Sequence, residues 1–255
     1  MALLKIDNLS KSFSGLKAVS NANIEINPRE LIGLIGPNGA GKTTVFNLIT
    51  GVYVPTEGRM LFEGKDISGL TPYQVNQRGI ARTFQNIRLF ADLTVLDNVK
   101  IALHQHVKYS GISAVLRLPS FFKGEKEMNE TALELLSIFN LQDKAGELAK
   151  NLPYGEQRRL EITRALATRP KLLLLDEPAA GMNPQETKEL MELIRFIREK
   201  FSLTILLIEH DMSLVMGVCE RIYVLDYGMV IAHGTPDEIK TNPKVIEAYL
   251  GEEAM

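Results

Sequence analysis

The chain has 255 residues, of which 45% are hydrophobic and 24% are charged, with a formal net charge of −2. The length suits one large α/β domain or a core with a small subdomain, and the near-neutral charge does not indicate nucleic acid or an acidic membrane surface as a partner. The single Cys219 excludes a disulfide within the chain. No apolar run approaches the roughly 18 residues of a membrane span, and the early Lys5 and Asp7 are not typical of a signal peptide. We therefore expect a cytoplasmic protein that reaches any membrane through a partner.

The N-terminal residues predict two strands, at 3–6 and 22–26. The second alternates apolar and polar residues, which is typical of a half-exposed antiparallel strand. Phe13 lies between them and is most simply a core or edge aromatic residue. Its alternative role, a ring stacked on a nucleotide base, depends on the family resemblance described below.

Residues 31–43 contain the clearest motif. The apolar run at 31–35 predicts a buried strand, and the next eight residues match the phosphate-binding loop pattern G-x-x-x-x-G-K-[ST]. Glycines let the backbone turn its N–H groups towards an anion, and a helix that starts near Lys42 adds its positive dipole end. Lys42 can reach the β- and γ-phosphates, Thr43 can reach Mg²⁺, and Thr44 can contact the α-phosphate.

An accidental match to this motif is the alternative. Given ordinary glycine usage, chance produces it in roughly one chain of this length per hundred. The required context of a strand before and a helix after the loop is present, so we predict that the chain binds a nucleoside triphosphate. The predicted binding residues are Gly36, Pro37, Asn38, Gly39, Ala40, Gly41, Lys42, Thr43 and Thr44.

Beyond the loop, the pattern predicts a strand at 59–63 and a helix that Thr71 and Pro72 open. A short strand at 80–85 is expected to end at Gln85, which is uninformative by itself. Helical patterns then dominate the middle of the chain.

The change from mixed strand and helix patterns to mainly helical patterns predicts how the chain is divided into domains. We expect residues 87–160 to form a helical subdomain inserted into an α/β core. The core is then made of residues 1–86 and 161–255.

Two acids end a buried strand in the second half of the chain. Four leucines at 172–175 are typical of a central parallel strand, which delivers Asp176 and Glu177 to its C-terminal edge. If this strand lies beside the phosphate-loop strand, Asp176 anchors Mg²⁺, directly or through water. Glu177 then orients or deprotonates the water that attacks the γ-phosphate. The alternative is a solvated acidic pair that caps the strand, and the upstream phosphate loop favours catalysis.

The remaining elements follow in order. A helix at 184–200 leads to a buried strand at 203–208, after which His210 could bond the γ-phosphate and Glu177, although a lone histidine is more often structural. A hairpin at 221–232 and a short helix at 243–250 complete the chain.

The order of these motifs resembles that of the ATP-binding subunit of an ABC transporter, over nearly the whole chain. The resemblance implies an α/β P-loop NTPase fold of the ABC ATPase type, with a mostly parallel sheet core, an N-terminal antiparallel β part and an inserted helical subdomain. It implies ATP and Mg²⁺ as ligands, with Phe13 as the aromatic residue that stacks on adenine. The implied catalytic residues are Glu177, His210 as switch histidine and Gln85 of the Q-loop, and the implied metal ligands are Thr43, Gln85 and Asp176.

The resemblance also assigns segments that contact a second subunit. In the family two subunits pack head to tail, and each ATP lies between one phosphate loop and the signature helix of the other subunit. Gln85 begins the segment that meets a coupling helix of the membrane subunit. The implied D-loop ends at Asn183, and the implied signature residues are Leu152, Pro153, Tyr154, Gly155, Glu156 and Gln157.

Two positions depart from the family pattern. The signature usually reads L-S-G-G-Q, and Pro153 replaces the serine whose hydroxyl meets the γ-phosphate of the opposing ATP. Losing a hydrogen bond to a charged group costs about 1.5–3 kcal/mol, which weakens closure without abolishing it. We therefore hypothesise pairing with a different ATPase that carries the serine. Asn183 replaces the usual aspartate of the D-loop. Because asparagine can still form hydrogen bonds, we expect the geometry of the D-loop to be kept and its charge to be changed.

Three features resemble the LivG-type subunits of branched-chain amino acid importers: an insert at about 104–127, the stretch 152–162 and the ending 245–251. The implied partners are integral membrane permease subunits, a second ATP-binding subunit and, indirectly, a periplasmic or extracellular solute-binding protein. The implied location is the cytoplasmic face of the membrane, as a peripheral subunit.

Other functions stay open. An ATPase for urea or amide uptake or for lipopolysaccharide export would share the same nucleotide chemistry. A non-transport ATPase acting on DNA or ribosomes would need coiled-coil arms, tandem nucleotide domains or a basic face, none of which the sequence predicts, so no nucleic acid partner is expected. Glu177 argues against a nucleotide sensor that does not hydrolyse its ligand.

Overall fold

The computed structural model describes residues 1–107 and 109–253. Residue 108, inside the predicted helical subdomain, and residues 254–255, at the end of the predicted core, lie outside the described residues. The strands are β1 (Leu4–Phe13), β2 (Leu16–Ile26), β3 (Leu31–Ile35), β4 (Glu57–Phe62), β5 (Lys65–Asp66), β6 (Ile80–Arg82), β7 (Leu172–Asp176), β8 (Thr204–Ile208), β9 (Arg221–Asp226) and β10 (Met229–Gly234). The helices are α1 (Lys42–Ile49), α2 (Pro72–Gln77), α3 (Val95–Leu103), α4 (Gly111–Val115), α5 (Pro119–Ile138), α6 (Tyr154–Ala167), α7 (Pro184–Phe201), α8 (Met212–Val218), α9 (Pro236–Lys240) and α10 (Pro243–Glu253).

The first sheet is antiparallel, in the order β2-β1-β4-β5. The predicted limits of its first two strands, 3–6 and 22–26, were wrong, since β1 and β2 are ten and eleven residues long. β1 pairs with β2 on one side and β4 on the other, so the ladder continues through a polar stretch. Register shifts and the positive φ of Asn8 and Asn21 interrupt the apolar alternation there, and a bulged strand does not show a simple period of two.

The second sheet has the order β10-β9-β3-β8-β7-β6, and its pairs from β9 to β6 are parallel. The sequence left open whether β7 lies beside β3, the condition under which Asp176 was expected to reach the phosphate loop, and the structure places β8 between the two strands. All three strands are buried along their whole length, and burial alone does not specify which buried strands are neighbours. The parallel register still aligns the strand ends, since Ile208 pairs with both Leu34 and Asp176.

The helix limits follow local capping signals. Asn183 accepts hydrogen bonds from the N–H groups of Gln185 and Glu186, and the Glu186 carboxylate accepts from the Asn183 N–H, so a capping box begins α7. α9 was not predicted, although Thr235 caps it in the same way. Within residues 1–107 and 109–253, no helix is both long and apolar enough to cross a membrane.

The chain divides into two compact units, Met1–Arg82 with Lys171–Met255 and Thr83–Pro170. The first unit contains both sheets. In the second unit α6 packs against α3 and α5, and α4 packs against α5. The predicted boundary at residue 160 falls inside α6, whereas this helix belongs entirely to the second unit.

Candidate functional site

The loop between β3 and α1 carries the phosphate-binding motif. Gly36 and Gly41 have φ angles of 150° and 103°, which residues with a Cβ rarely adopt. A Cβ on Gly36 would lie 2.0 Å from the carbonyl oxygen of Leu225, and one on Gly41 would lie 2.5 Å from that of Ala18. The loop therefore requires glycine at both positions, for conformation and for space.

Lys42 places a positive charge inside this loop. Its side chain is buried, and Nζ donates to the carbonyl oxygens of Gly36 at 2.6 Å and Pro37 at 2.8 Å. Asn38 is exposed on the same loop, and Thr43 is exposed in the first turn of α1. Because α1 begins at Lys42, the N–H groups of its first turn and the helix dipole favour an anion at this end.

Asp176 ends β7 and is bound by a cation that the sequence analysis missed. Arg82 Nη2 donates to Asp176 Oδ2 at 2.6 Å, and both side chains are buried. Arg82 Nη1 donates to Asn47 Oδ1 at 2.7 Å and contacts Thr50 Oγ1 at 3.5 Å, so Arg82 connects β7 to α1. The sequence contains Arg82 in a predicted strand, but its partner depends on the parallel pairing of β6 with β7.

Glu177 and His210 contact each other at the same edge of the sheet. The imidazole Nε2 of His210 donates to Glu177 Oε1 at 3.0 Å. Glu177 has a φ of 46°, an uncommon conformation for a residue other than glycine, and its N–H donates to the carbonyl oxygen of Ile208. Such backbone outliers cluster at functional sites, and this one turns the chain sharply after β7.

Glu209 holds the loops on either side of this pair and was also missed. Its buried carboxylate accepts from the Ala179 N–H at 2.6 Å and the His210 N–H at 3.0 Å, with a longer contact from the Asp211 N–H at 3.5 Å. Burial raises the pKa of Glu209, the backbone donors partly oppose this, and the charge of Glu177 adds to it. One side chain thus fixes the loop after β7 to the loop after β8.

Phe13, at the end of β1, is not a core residue, since 38% of its surface is exposed. Its ring packs edge-on against Tyr53 with 5.0 Å between centroids, and Lys11 Nζ lies 5.0 Å from the Phe13 centroid. The aromatic ring is therefore held in place while much of it stays accessible.

Gln85 and the segment 152–157 belong to the second unit. The strand predicted to end at Gln85 ends at Arg82 instead, because the backbone of 84–88 bonds to side chains of α6 rather than to a strand. The bonding side chains are Arg158 and Glu161, which the sequence analysis did not single out. The sequence signal that could have identified them is the presence of charged residues next to the apolar positions of a helix.

The predicted signature segment surrounds the start of α6. Leu152 is buried, whereas Pro153, just before the helix, and Tyr154, its first residue, are exposed. Lys144 Nζ binds the Glu156 carboxylate at 2.5 and 2.6 Å, and Gln157 Nε2 donates to the Leu152 carbonyl oxygen at 2.8 Å. The exposed helix start has no side-chain cap, because Pro153 offers none.

The structure thus places the phosphate loop, Asp176, Glu177 and His210 at the C-terminal ends of the parallel strands β3, β7 and β8. Open α/β sheets bind ligands at this edge. The arrangement suits a phosphorylated ligand, with a cation inside the loop and a carboxylate–imidazole pair on the same edge.

Family comparisons agree with this chemistry. A family model described as "ABC transporter" matches residues 19–180, and one described as "Branched-chain amino acid ATP-binding cassette transporter" matches residues 229–255. The chain is 51% identical over 250 residues to LivG of Escherichia coli (strain K12), a high-affinity branched-chain amino acid transport ATP-binding protein, and 45% identical over 250 residues to BraF of Pseudomonas aeruginosa. Each alignment covers 98% of both chains. The lipopolysaccharide export ATP-binding protein LptB of Haemophilus influenzae is 36% identical over 253 residues, covering 99% of both chains.

Solved structures of ATP-binding cassettes are also similar to this chain. MJ1267, an ATP-binding cassette of an ABC transporter in its ADP conformation, matches with a TM-score of 0.85 and 33% identity, over 98% of this chain and 99% of that one. MJ0796, an ATP-binding cassette in a dimeric post-hydrolysis state bound to ADP and Pi, matches with a TM-score of 0.77 and 27% identity, over 91% of this chain and 98% of that one.

The buried Arg82–Asp176 pair generates a stability prediction. Arg82→Met leaves a buried carboxylate without its cation and should lower the free energy of unfolding by about 3–5 kcal/mol in urea denaturation. Arg82→Met with Asp176→Leu removes both charges and should recover most of this loss. The matched control is Lys171→Met, which removes the exposed pair with Glu63 and should cost about 1 kcal/mol or less. Equal losses in the control and the buried variant would contradict the prediction.

Proposed function

The chain belongs to the ATP-binding subunits of ABC transporters, which are ATPases, and from this premise we propose that it hydrolyses ATP to drive import of branched-chain amino acids. The observation that carries the hydrolytic part is the Glu177–His210 hydrogen bond at the same sheet edge as the phosphate loop. The amino acid part rests on the similarity to LivG and BraF over almost the whole chain.

ATP binding begins at the phosphate loop. Backbone N–H groups of the loop and of the first turn of α1 face the phosphates. Lys42 exchanges its contacts with the Gly36 and Pro37 carbonyl oxygens for β- and γ-phosphate oxygens, so its charge is already positioned. We propose that Phe13 stacks on adenine, which its accessible and supported ring allows.

The residues present fit a magnesium ion. Within residues 1–107 and 109–253, no group of three or more acidic, histidine or cysteine side chains could hold a metal by itself. Magnesium in nucleotide sites needs only one or two carboxylates besides the phosphates and waters. The Thr43 hydroxyl, the Asp176 carboxylate and the Gln85 side chain would hold it, and when bound it neutralises the charge that develops on the phosphates.

Hydrolysis is proposed to use the Glu177–His210 pair. Glu177 orients the attacking water and accepts its proton, and the bond from His210 fixes the direction of the carboxylate. His210 contacts the γ-phosphate in the closed state. Glu209 serves as a positioning residue, because it ties the Ala179 loop to the His210 backbone.

The partners follow from the transport role. We propose that the chain acts as a peripheral subunit at the cytoplasmic face of the membrane, with permease subunits and a second ATP-binding subunit, and indirectly with a solute-binding protein. MJ0796 is dimeric in its ADP- and Pi-bound state, which supports a dimer here. Residues 152–157 would meet the ATP of the second subunit, with Pro153 unable to supply a hydroxyl.

The comparisons do not favour the alternative of lipopolysaccharide export. LptB is 36% identical to this chain, against 51% and 45% for LivG and BraF. The C-terminal segment also matches the branched-chain amino acid family model, which does not favour export.

The variant Glu177→Gln tests whether Glu177 is the general base that accepts the proton of the attacking water. Glutamine keeps the size of the side chain but does not accept the proton, so kcat should fall by about 10²–10⁴-fold while ATP still binds. Phosphate release assays and equilibrium binding of labelled ATP separate the two effects. The control, Glu192→Gln on an exposed position of α7, should change neither. Unchanged turnover in Glu177→Gln would remove Glu177 from this role.

Phe13→Ala tests adenine stacking. Loss of the ring should weaken ATP binding by about 1–3 kcal/mol, measured by titration calorimetry. Phe13→Tyr should keep most of the affinity because the ring remains. Leu16→Ala, which truncates an exposed apolar residue on the same hairpin, is the control and should bind normally. Equal binding by Phe13→Ala would contradict stacking.

Pro153 generates a prediction about pairing. In a Glu177→Gln background with ATP and Mg²⁺, the chain alone should form only a weak homodimer in light scattering, because neither signature supplies the serine hydroxyl. Adding Pro153→Ser should shift it towards a dimer, since serine restores the hydroxyl and also caps α6. A stable ATP-bound homodimer with proline in place, and full hydrolysis by the unaltered chain alone, would contradict obligatory pairing with a different subunit.

A further inference from the structure

The second unit contains an ion pair buried within α6. Arg158 Nη1 donates to Glu161 Oε2 at 2.8 Å, and the two side chains are 0% and 1% exposed. A pair of this kind is weak evidence for a stabilising role, because well-packed apolar residues of similar size often serve as well or better. We therefore looked for a role of the Arg158–Glu161 pair that apolar side chains could not perform.

That role is visible in the segment that follows β6. Arg158 donates to the carbonyl oxygen of Phe84 at 2.6 Å through Nη1 and to that of Gln85 at 2.7 Å through Nη2. Glu161 Oε1 accepts from the N–H groups of Phe84 at 3.3 Å and Arg88 at 3.1 Å. Residues 84–88 are in neither a helix nor a strand, so these four bonds replace a ladder.

The same guanidinium also contacts the start of α6. Arg158 Nη2, which holds the Gln85 carbonyl oxygen, donates to the Tyr154 hydroxyl at 3.2 Å. Tyr154 is the first residue of α6 and lies within the segment 152–157. One nitrogen atom therefore joins the backbone of Gln85 to the first turn of this helix.

We infer that the Arg158–Glu161 pair couples the backbone of residues 84–88 to the helix start at 152–157, so that a shift of either segment is passed to the other. The inference rests on the proposed function, in which Gln85 meets the nucleotide's metal and residues 152–157 meet the ATP of a second subunit. Arg158 and Glu161 are positioning residues, through which occupancy of one ATP site is transmitted to the surface that completes the other. Rigid bonds from a single side chain to both segments provide the contiguous physical path that coupling requires.

The test is amide hydrogen exchange on the full chain, with and without adenylyl imidodiphosphate and Mg²⁺. The main variant is Arg158→Met with Glu161→Met, which removes both charges together and so avoids an unpaired buried ion. Arg158→Lys keeps the charge but not the two-pronged donor geometry. The matched control is Lys126→Met with Glu130→Met, an exposed pair one helical turn apart on α5.

Without nucleotide, exchange at Phe84 and Arg88 in the double variant should accelerate by about tenfold or more, because both amides lose their acceptor. In the unaltered chain and the control, the analogue should slow exchange in both 84–88 and 154–160, the latter by at least about threefold. In the double variant the analogue should slow only 84–88, and Arg158→Lys should give an intermediate response.

Three results would overturn the inference. Equal nucleotide responses at 154–160 in the unaltered chain and the double variant would show that the pair is structural only. Unchanged exchange at Phe84 and Arg88 would show that it does not hold the segment. If titration calorimetry shows that the analogue does not bind the unaltered chain, the proposed function fails first and the coupling fails with it, which distinguishes this result from the other two.

Discussion

The parallel register of β3, β8 and β7 is the constraint on which the candidate site depends. Ile208 pairs with Leu34 on one side and with Asp176 on the other, so three strands end at the same level. The phosphate loop, the Glu177 turn and the His210 loop all leave the sheet from this level. A shift of one residue in β8 would turn its buried side chains to the wrong faces and move His210 away from Glu177.

Buried charges then hold the loops in position. Arg82 ties Asp176 to α1, Glu209 ties the Ala179 loop to the His210 loop, and Arg158 with Glu161 holds residues 84–88 against α6. Glu209 and the Arg158–Glu161 pair bond to backbone outside the helices and strands, whereas Arg82 bonds to the side chains of Asp176 at the end of β7 and Asn47 in α1. Burial makes such groups costly when unpaired, so the loops have few alternative positions that satisfy them.

Several elements of the fold could be predicted because their signals are local. The glycines of the phosphate loop, the apolar runs of β3, β7 and β8, and the Thr71 cap of α2 each depend on neighbours in sequence. The strand limits at 3–6 and 22–26 were wrong because cross-strand pairing, with bulges near Asn8 and Asn21, extended the ladder through polar residues. Residues 83–85 were predicted as strand and are not, because Arg158 and Glu161, more than seventy positions away, take their backbone groups.

The sequence by itself determined which chemical groups are presented together: a glycine loop with Lys42, and carboxylates at the end of a buried strand. It determined these because residue type and spacing fix which groups a short segment presents. Only the tertiary structure decided that β8 separates β3 from β7, that Arg82 faces Asp176 and that Glu209 braces His210. These depend on which buried strands become neighbours, and since β3, β7 and β8 are all buried along their whole length, no local pattern distinguishes one neighbour from another.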